Sequence, residues 1–122
     1  MAVKLSSRQV AKLAVLETFP PKFDAIYRLI EELGSMRADE SVPRRLSRMT
    51  DEMKAGAQAV GATGVAETLG VMAMLARRTG GVQTRVRGLR EAYVSLRTNF
   101  EGAIKNASTP GAEVDLDEHL PV

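Results

Sequence analysis

The stretch that decides the fold is residues 45–62, RLSRMTDEMKAGAQAVGA. Leu46, Met49, Met53, Ala57 and Val60 recur at steps of three and four, the spacing of one buried helical stripe. The other side carries Asp51, Lys54, Ala55 and Gln58. Ala55, Gly56 and Ala57 are three small residues in a row, a low patch where another backbone can come close. Glycine inside a helix costs up to about 1 kcal/mol relative to alanine, so Gly56 needs an offsetting contact. Two contacts would serve: a neighbouring helix of the same chain, or a docked partner.

Working outward, the chain of 122 residues is one domain's length, enough for a core of its own. Its 44% apolar and 26% charged residues are ordinary for a soluble globular protein. Aromatics are few, so the core is built from Leu, Val, Ile, Met and Ala, which favours helices. There is no cysteine, and the single histidine is His119. This composition argues against a disulfide framework or transition-metal site, and removes the usual general base. No metal or other cofactor is expected. The start, Met1-Ala2-Val3-Lys4, lacks a signal-peptide core, and the longest apolar run, residues 71–76, is too short for a bilayer. The expectation is a cytoplasmic protein with no membrane insertion.

The net charge of +2 conceals an asymmetry. Residues 107–122 contain Glu113, Asp115, Asp117 and Glu118 and no Lys or Arg. Removing those four acids leaves 17 basic against 11 acidic groups in the body, or +6. A basic body invites acidic partners.

Along the chain, Ser6 or Ser7 caps a first helix bearing Val10, Leu13, Ala14 and Glu17 on successive turns. Phe19-Pro20-Pro21 stops or kinks it. A second helix carries Phe23, Ile26, Tyr27, Ile30 and Leu33 and closes at Gly34. Ser41 caps the third, with Pro43 in its first turn, and Gly61-Ala62 ends it. Thr63 caps a fourth with Val65, Leu69, Met72 and Leu75 or Ala76 inward; Thr79-Gly80-Gly81 is a turn. In the last helix Val82, Val86, Leu89, Tyr93, Leu96, Phe100 and Ile104 form one stripe. The expected architecture is all-α: a four-helix up-and-down bundle with an additional N-terminal helix. The bundle domain spans residues 1–106, and residues 107–122 form a flexible, disordered acidic tail.

At residues 51–62 the sequence resembles a known family. DEMKAGAQAVGA is similar to the motif of histidine phosphotransfer (HPt) domains: His, two residues, Lys, Gly, small residues and commonly an Asn-Leu-Gly-Ala-like ending. Lys54 falls on the family's lysine, Ala57 on a small position and residues 60–62 on the helix end. Phe19 and Pro21 before the second helix, Arg44-Arg45-Leu46 before the motif and the GVAETL of residues 64–69 after it extend the likeness over residues 10–105. The resemblance implies an HPt-like bundle whose motif helix docks a response-regulator receiver domain or a histidine kinase of a two-component phosphorelay. Two positions depart from the pattern. Asp51 stands where the family has its phosphorylated histidine, and Ala55 where it has glycine. No histidine precedes His119, so no shift of register restores the acceptor.

Asp51 is a poor substitute acceptor. Aspartyl phosphorylation requires a bound cation and neighbouring carboxylates. The residues sharing its helix face are Ser47, Arg48, Lys54 and Ala55, with Glu52 directed elsewhere. A surface pair with Arg48 or Lys54 is the plain expectation; a permanent negative charge in place of phosphohistidine is the functional one. The sequence offers no nucleophile–base pair, metal cluster or phosphate loop, so no enzymatic activity is expected. The resemblance therefore implies a signalling module that binds without carrying phosphate. Its receiver-docking face would comprise Arg48, Asp51, Lys54, Ala55 and Gln58.

Two alternatives stay open. One is a structural or oligomerising bundle, including a homodimer, using Met72 and Met74. The other is a nucleic-acid or anionic-surface binder using Arg77, Arg78, Arg85, Arg87, Arg90 and Arg97. Interleaved acids such as Glu91 and Glu101, and the scarcity of aromatics for base stacking, argue against it.

Overall fold

The computed structural model describes residues 4–35 and 39–112. Its five helices are α1 (Ser7–Leu16), α2 (Pro20–Leu33), α3 (Ser41–Ala59), α4 (Thr63–Arg77) and α5 (Val82–Ser108). There is no strand among the described residues. No helix among them is long and apolar enough to cross a membrane.

Helices α2 and α5 lie side by side in opposite directions. Glu31, late in α2, meets Arg90, early in α5, while Phe23 at the other end of α2 meets Phe100. The α3–α4 pair is closed by the turn at residues 60–62, where Gly61 adopts φ 74°, a left-handed conformation suited to glycine. The α4–α5 turn uses Gly80 in the same way, at φ 93°.

The apolar stripes meet in one core. Phe23, Ile26 and Ile30 of α2, Leu46, Met53 and Ala57 of α3, Leu69 and Met72 of α4, and Leu89 and Leu96 of α5 are all buried. Met49, Val60, Tyr93, Phe100 and Ile104 pack against it while partly exposed. Phe23 meets Phe100 edge-on at 4.8 Å between ring centroids, and Phe19 lies within 6.3 Å of the same ring. Arg97 covers the cluster from outside, its guanidinium 5.4 Å from the Phe23 centroid.

Four local expectations are corrected. In α1 the inward side is Gln9, Lys12 and Leu16, while Val10 and Ala14 are exposed. The reason is polar. The Gln9 side-chain amide donates to the carbonyls of Thr109 (2.7 Å) and Asn106 (3.2 Å) at the end of α5. Its oxygen accepts from the Ser6 amide, completing a capping box with the Ser6 hydroxyl. Second, Ser41 is the first residue of α3 rather than its cap; the Asp39 carboxylate accepts from the Ser41 amide (2.9 Å) and hydroxyl. Third, Thr63 begins α4 and makes no capping bond to it. Fourth, Val82, placed first in the α5 stripe, is exposed because it precedes the point where α5 meets α2.

The domain boundary set after residue 106 falls inside α5, which continues to Ser108 with Ala107 buried. The acidic residues and His119 of the expected tail lie outside the described residues.

Two polar ties yield predictions. Gln9→Ala removes the donor serving two carbonyls as well as half of the capping box, and should cost about 1–3 kcal/mol by urea denaturation. Arg90 clamps Glu31 through two parallel bonds, Nη2 to Oε2 at 2.8 Å and Nε to Oε1 at 3.1 Å. Hydrogen bonding to this guanidinium holds the Glu31 carboxyl below its ordinary value of 4.5. A lowered folded-state pKa stabilises above the unfolded value and loses that contribution as pH falls through the folded one. The stability gap between wild type and Glu31→Gln should therefore be constant well above the ordinary value of 4.5 and narrow as pH falls below it through the lowered folded-state value.

Candidate functional site

The exposed side of the α3–α4 pair presents the motif residues. Its geometry follows from a small-residue stripe on α4: Ala66, Gly70, Ala73 and Arg77 recur at steps of four, three and four. Ala66 and Ala73 are buried, and their small side chains let the two helices lie close together. Gly70 receives Lys54. A Cβ at Gly70 would stand 3.3 Å from Lys54 Nζ, 3.5 Å from Cε and 3.6 Å from Cδ, so the lysine stem lies flat across the glycine. Gly56, questioned in the sequence, also has a helix neighbour. The nearest atom to its missing Cβ is Cγ1 of Val15 on α1, at 3.6 Å. That is an ordinary contact distance, so an alanine would fit here and the packing of α1 does not itself demand a glycine.

Asp51 is not paired with Arg48 or Lys54. Its Oδ2 accepts from Nη1 of Arg77 on α4 at 2.7 Å, and the same nitrogen donates to Ser47 Oγ at 3.0 Å. The pair is open to water, with side chains 48% exposed for Asp51 and 55% for Arg77, so its contribution to stability is small. It bridges the two helices and holds the carboxylate at the surface. Sequence reasoning missed Arg77 in this role. An Asp–Arg pair separated by 26 residues carries no local signal.

The five motif residues are divided among three environments. Arg48 and Asp51 line a hollow of about 1100 Å³ between the start of α3, the end of α4 and the α4–α5 turn. Glu52, expected to point elsewhere, lines it too. Lys54 and Gln58 line a separate hollow of about 340 Å³ with Thr63, Ala66, Glu67 and Gly70. Ala55 is exposed between them and lines neither. No group of three or more metal-ligating side chains occurs among the described residues.

Scans of family models, of curated proteins and of solved structures found no match for this chain.

The site's geometry leaves polar and apolar groups at the surface of the α3–α4 pair. Lys54 has no ion-pair partner among the described residues and offers its ammonium beside the Gln58 amide. One turn beyond Gly70, Met74 is 46% exposed, next to Val71 at 45%. Met72 is fully buried in the core, so of the two methionines considered for an interface only Met74 is at the surface.

The basic residues proposed for an anionic surface are largely engaged. Arg85 donates to the carbonyls of Ala76 (2.6 Å) and Leu75 (3.2 Å), satisfying the end of α4. Arg90 is held by Glu31, Arg77 by Asp51, and Arg97 donates to the Tyr93 hydroxyl at 3.2 Å.

The contact between Lys54 and Gly70 can be tested directly. In Gly70→Ala the added methyl meets the flexible end of a side chain, so the lysine should move rather than the backbone. Unfolding stability should change by less than about 1 kcal/mol, while the Lys54 side-chain resonances shift in a carbon-detected NMR spectrum.

Proposed function

We propose that the chain is a degenerate HPt-like signalling module that docks a receiver domain of a two-component phosphorelay without carrying phosphate. On this reading α2 to α5 are the up-and-down bundle of the family and α1 is the additional helix. The motif row Asp51, Lys54, Ala55 and Gln58 is the centre of the docking face, with Arg48 at its edge. A histidine kinase is the other partner of the same class.

The observation that carries the reading is the placement of Lys54 across Gly70. A lysine one turn after the acceptor position is laid over a glycine of the next helix, which leaves a low two-helix surface with a cation at its middle. Receivers concentrate carboxylates at their phosphorylation site, so a cation on a low, partly apolar face suits them. Met74 and Val71 add apolar area beside it. Asp51 supports the non-phosphorylated form of the role, because its carboxylate is neutralised by Arg77 rather than surrounded by the acids a cation would need.

The basic nucleic-acid reading is the weaker one, because Arg77, Arg85, Arg90 and Arg97 are already engaged within the chain. A homodimer through Met74 would use the same face as the receiver.

The test is a two-dimensional NMR titration of labelled protein with a panel of receiver domains, each with and without beryllofluoride. Shifts are expected to cluster on Asp51, Lys54, Ala55 and Gln58. Lys54→Glu should weaken binding by about 10-fold or more, with its spectrum otherwise preserved. Absence of shifts across the panel would remove the receiver-docking role.

A further inference from the structure

The larger hollow adjoins the docking face through Arg48 and Asp51 and holds further charge beyond them. Five arginines line it: Arg44, Arg48, Arg77, Arg78 and Arg85. Three are committed. Arg77 holds Asp51 and Ser47, Arg85 closes the end of α4, and Arg44 reaches Glu40 at 3.5 Å. The side chains of Arg48 and Arg78 are exposed and make no hydrogen bond or ion pair among the described residues. Of the acids in the same hollow, Asp51 and Glu40 are answered by arginines, while Glu52 is exposed and unpaired. Pro43 and the exposed Val82 contribute apolar surface to the lining.

We infer that this hollow is a second contact region, selecting receivers that carry an acidic segment outside their phosphorylation pocket. The inference rests on the receiver-docking reading and adds a specificity determinant to it. The occupant is a polypeptide segment with carboxylates opposite Arg48 and Arg78 and an apolar side chain over Pro43 and Val82. Three features favour a polypeptide over a polyphosphate. The lining alternates in sign, so a uniformly anionic strand would meet Glu52 and the Asp51 and Glu40 carboxylates. A space of about 1100 Å³ is far larger than a single anion and long enough for several residues of chain. Apolar surface among the charges suits a side-chain anchor. A guanidinium fork matches a carboxylate through two parallel bonds, so Arg48 and Arg78 discriminate by position as well as by charge. Continuity with the docking face comes through Asp51, which lies in the hollow and one helical turn before Lys54.

The experiment measures affinity and salt dependence for the receiver that binds best in the titration above. It compares wild type with Arg48→Gln/Arg78→Gln, Arg48→Glu/Arg78→Glu and Glu52→Gln; all three side chains are exposed, and circular dichroism checks the fold. The expected result is a loss of about 10-fold or more for the neutral pair, a larger loss for the reversed pair and a shallower salt dependence in both. Glu52→Gln should strengthen binding, since it removes the repelling carboxylate. If the receiver binds and the arginine pairs change affinity by less than about twofold with the salt dependence intact, the inference is overturned while the docking reading stands. If no receiver binds, the docking reading falls and this inference falls with it. A single-stranded oligonucleotide that binds and shifts Arg48 and Arg78 would overturn the choice of a polypeptide occupant.

Discussion

The close approach of α3 and α4 is the constraint on which the exposed face depends. Two helices come near enough for a lysine stem to lie across the neighbour's backbone only where the facing residues are small. Ala66, Gly70 and Ala73 provide that on α4, and Ala57 does so on α3. Arg77, at the end of the same stripe, is long because the contact there is polar and reaches outward to Ser47 and Asp51. One stripe thus carries both the Lys54 contact at Gly70 and the Arg77 bridge to Ser47 and Asp51, beside which the arginine-lined hollow lies. The surface chemistry follows from packing. Lys54 is held in place by the absence of a side chain opposite it.

Much of the fold was legible because long helices average over many residues. The stripes of α2, α3 and α4, and most of α5, repeat often enough that one misplaced residue changes nothing, and the breaks at Pro20-Pro21, Gly61 and Gly80 have local causes. The ten-residue α1 has no such redundancy. Its orientation is set by the Gln9 amide finding two carbonyls at the far end of the chain, a contact separated by about a hundred positions and invisible to periodicity. Caps were misjudged by a residue or two because Ser, Thr and Asp can each cap, and which one does depends on the turn before the helix.

The candidate site was legible as a helix face and not as a set of partners. The outward position of Arg48, Asp51, Lys54, Ala55 and Gln58 needed only the period of α3. Asp51's bond to Arg77, Lys54's rest on Gly70 and the division of the face into two hollows all arise from the neighbouring helix. The charge count misled in a related way. Seventeen basic residues describe a composition, whereas a partner meets only the guanidinium and ammonium groups left over after helix ends, carboxylates and ring faces have taken theirs.

The hold of Gln9 on the end of α5 has a consequence for orientation. It brings the beginning of α1 beside residues 106–109, so the first and last described helices meet at one pole of the molecule. The turn at Gly80, beside the arginine-lined hollow, lies at the other, separated by the 27 residues of α5, about 40 Å of helix. Anything tethered at the α1–α5 pole, whether a neighbouring domain or a solid support, would leave that hollow facing away from the attachment, free to meet a partner arriving from solution.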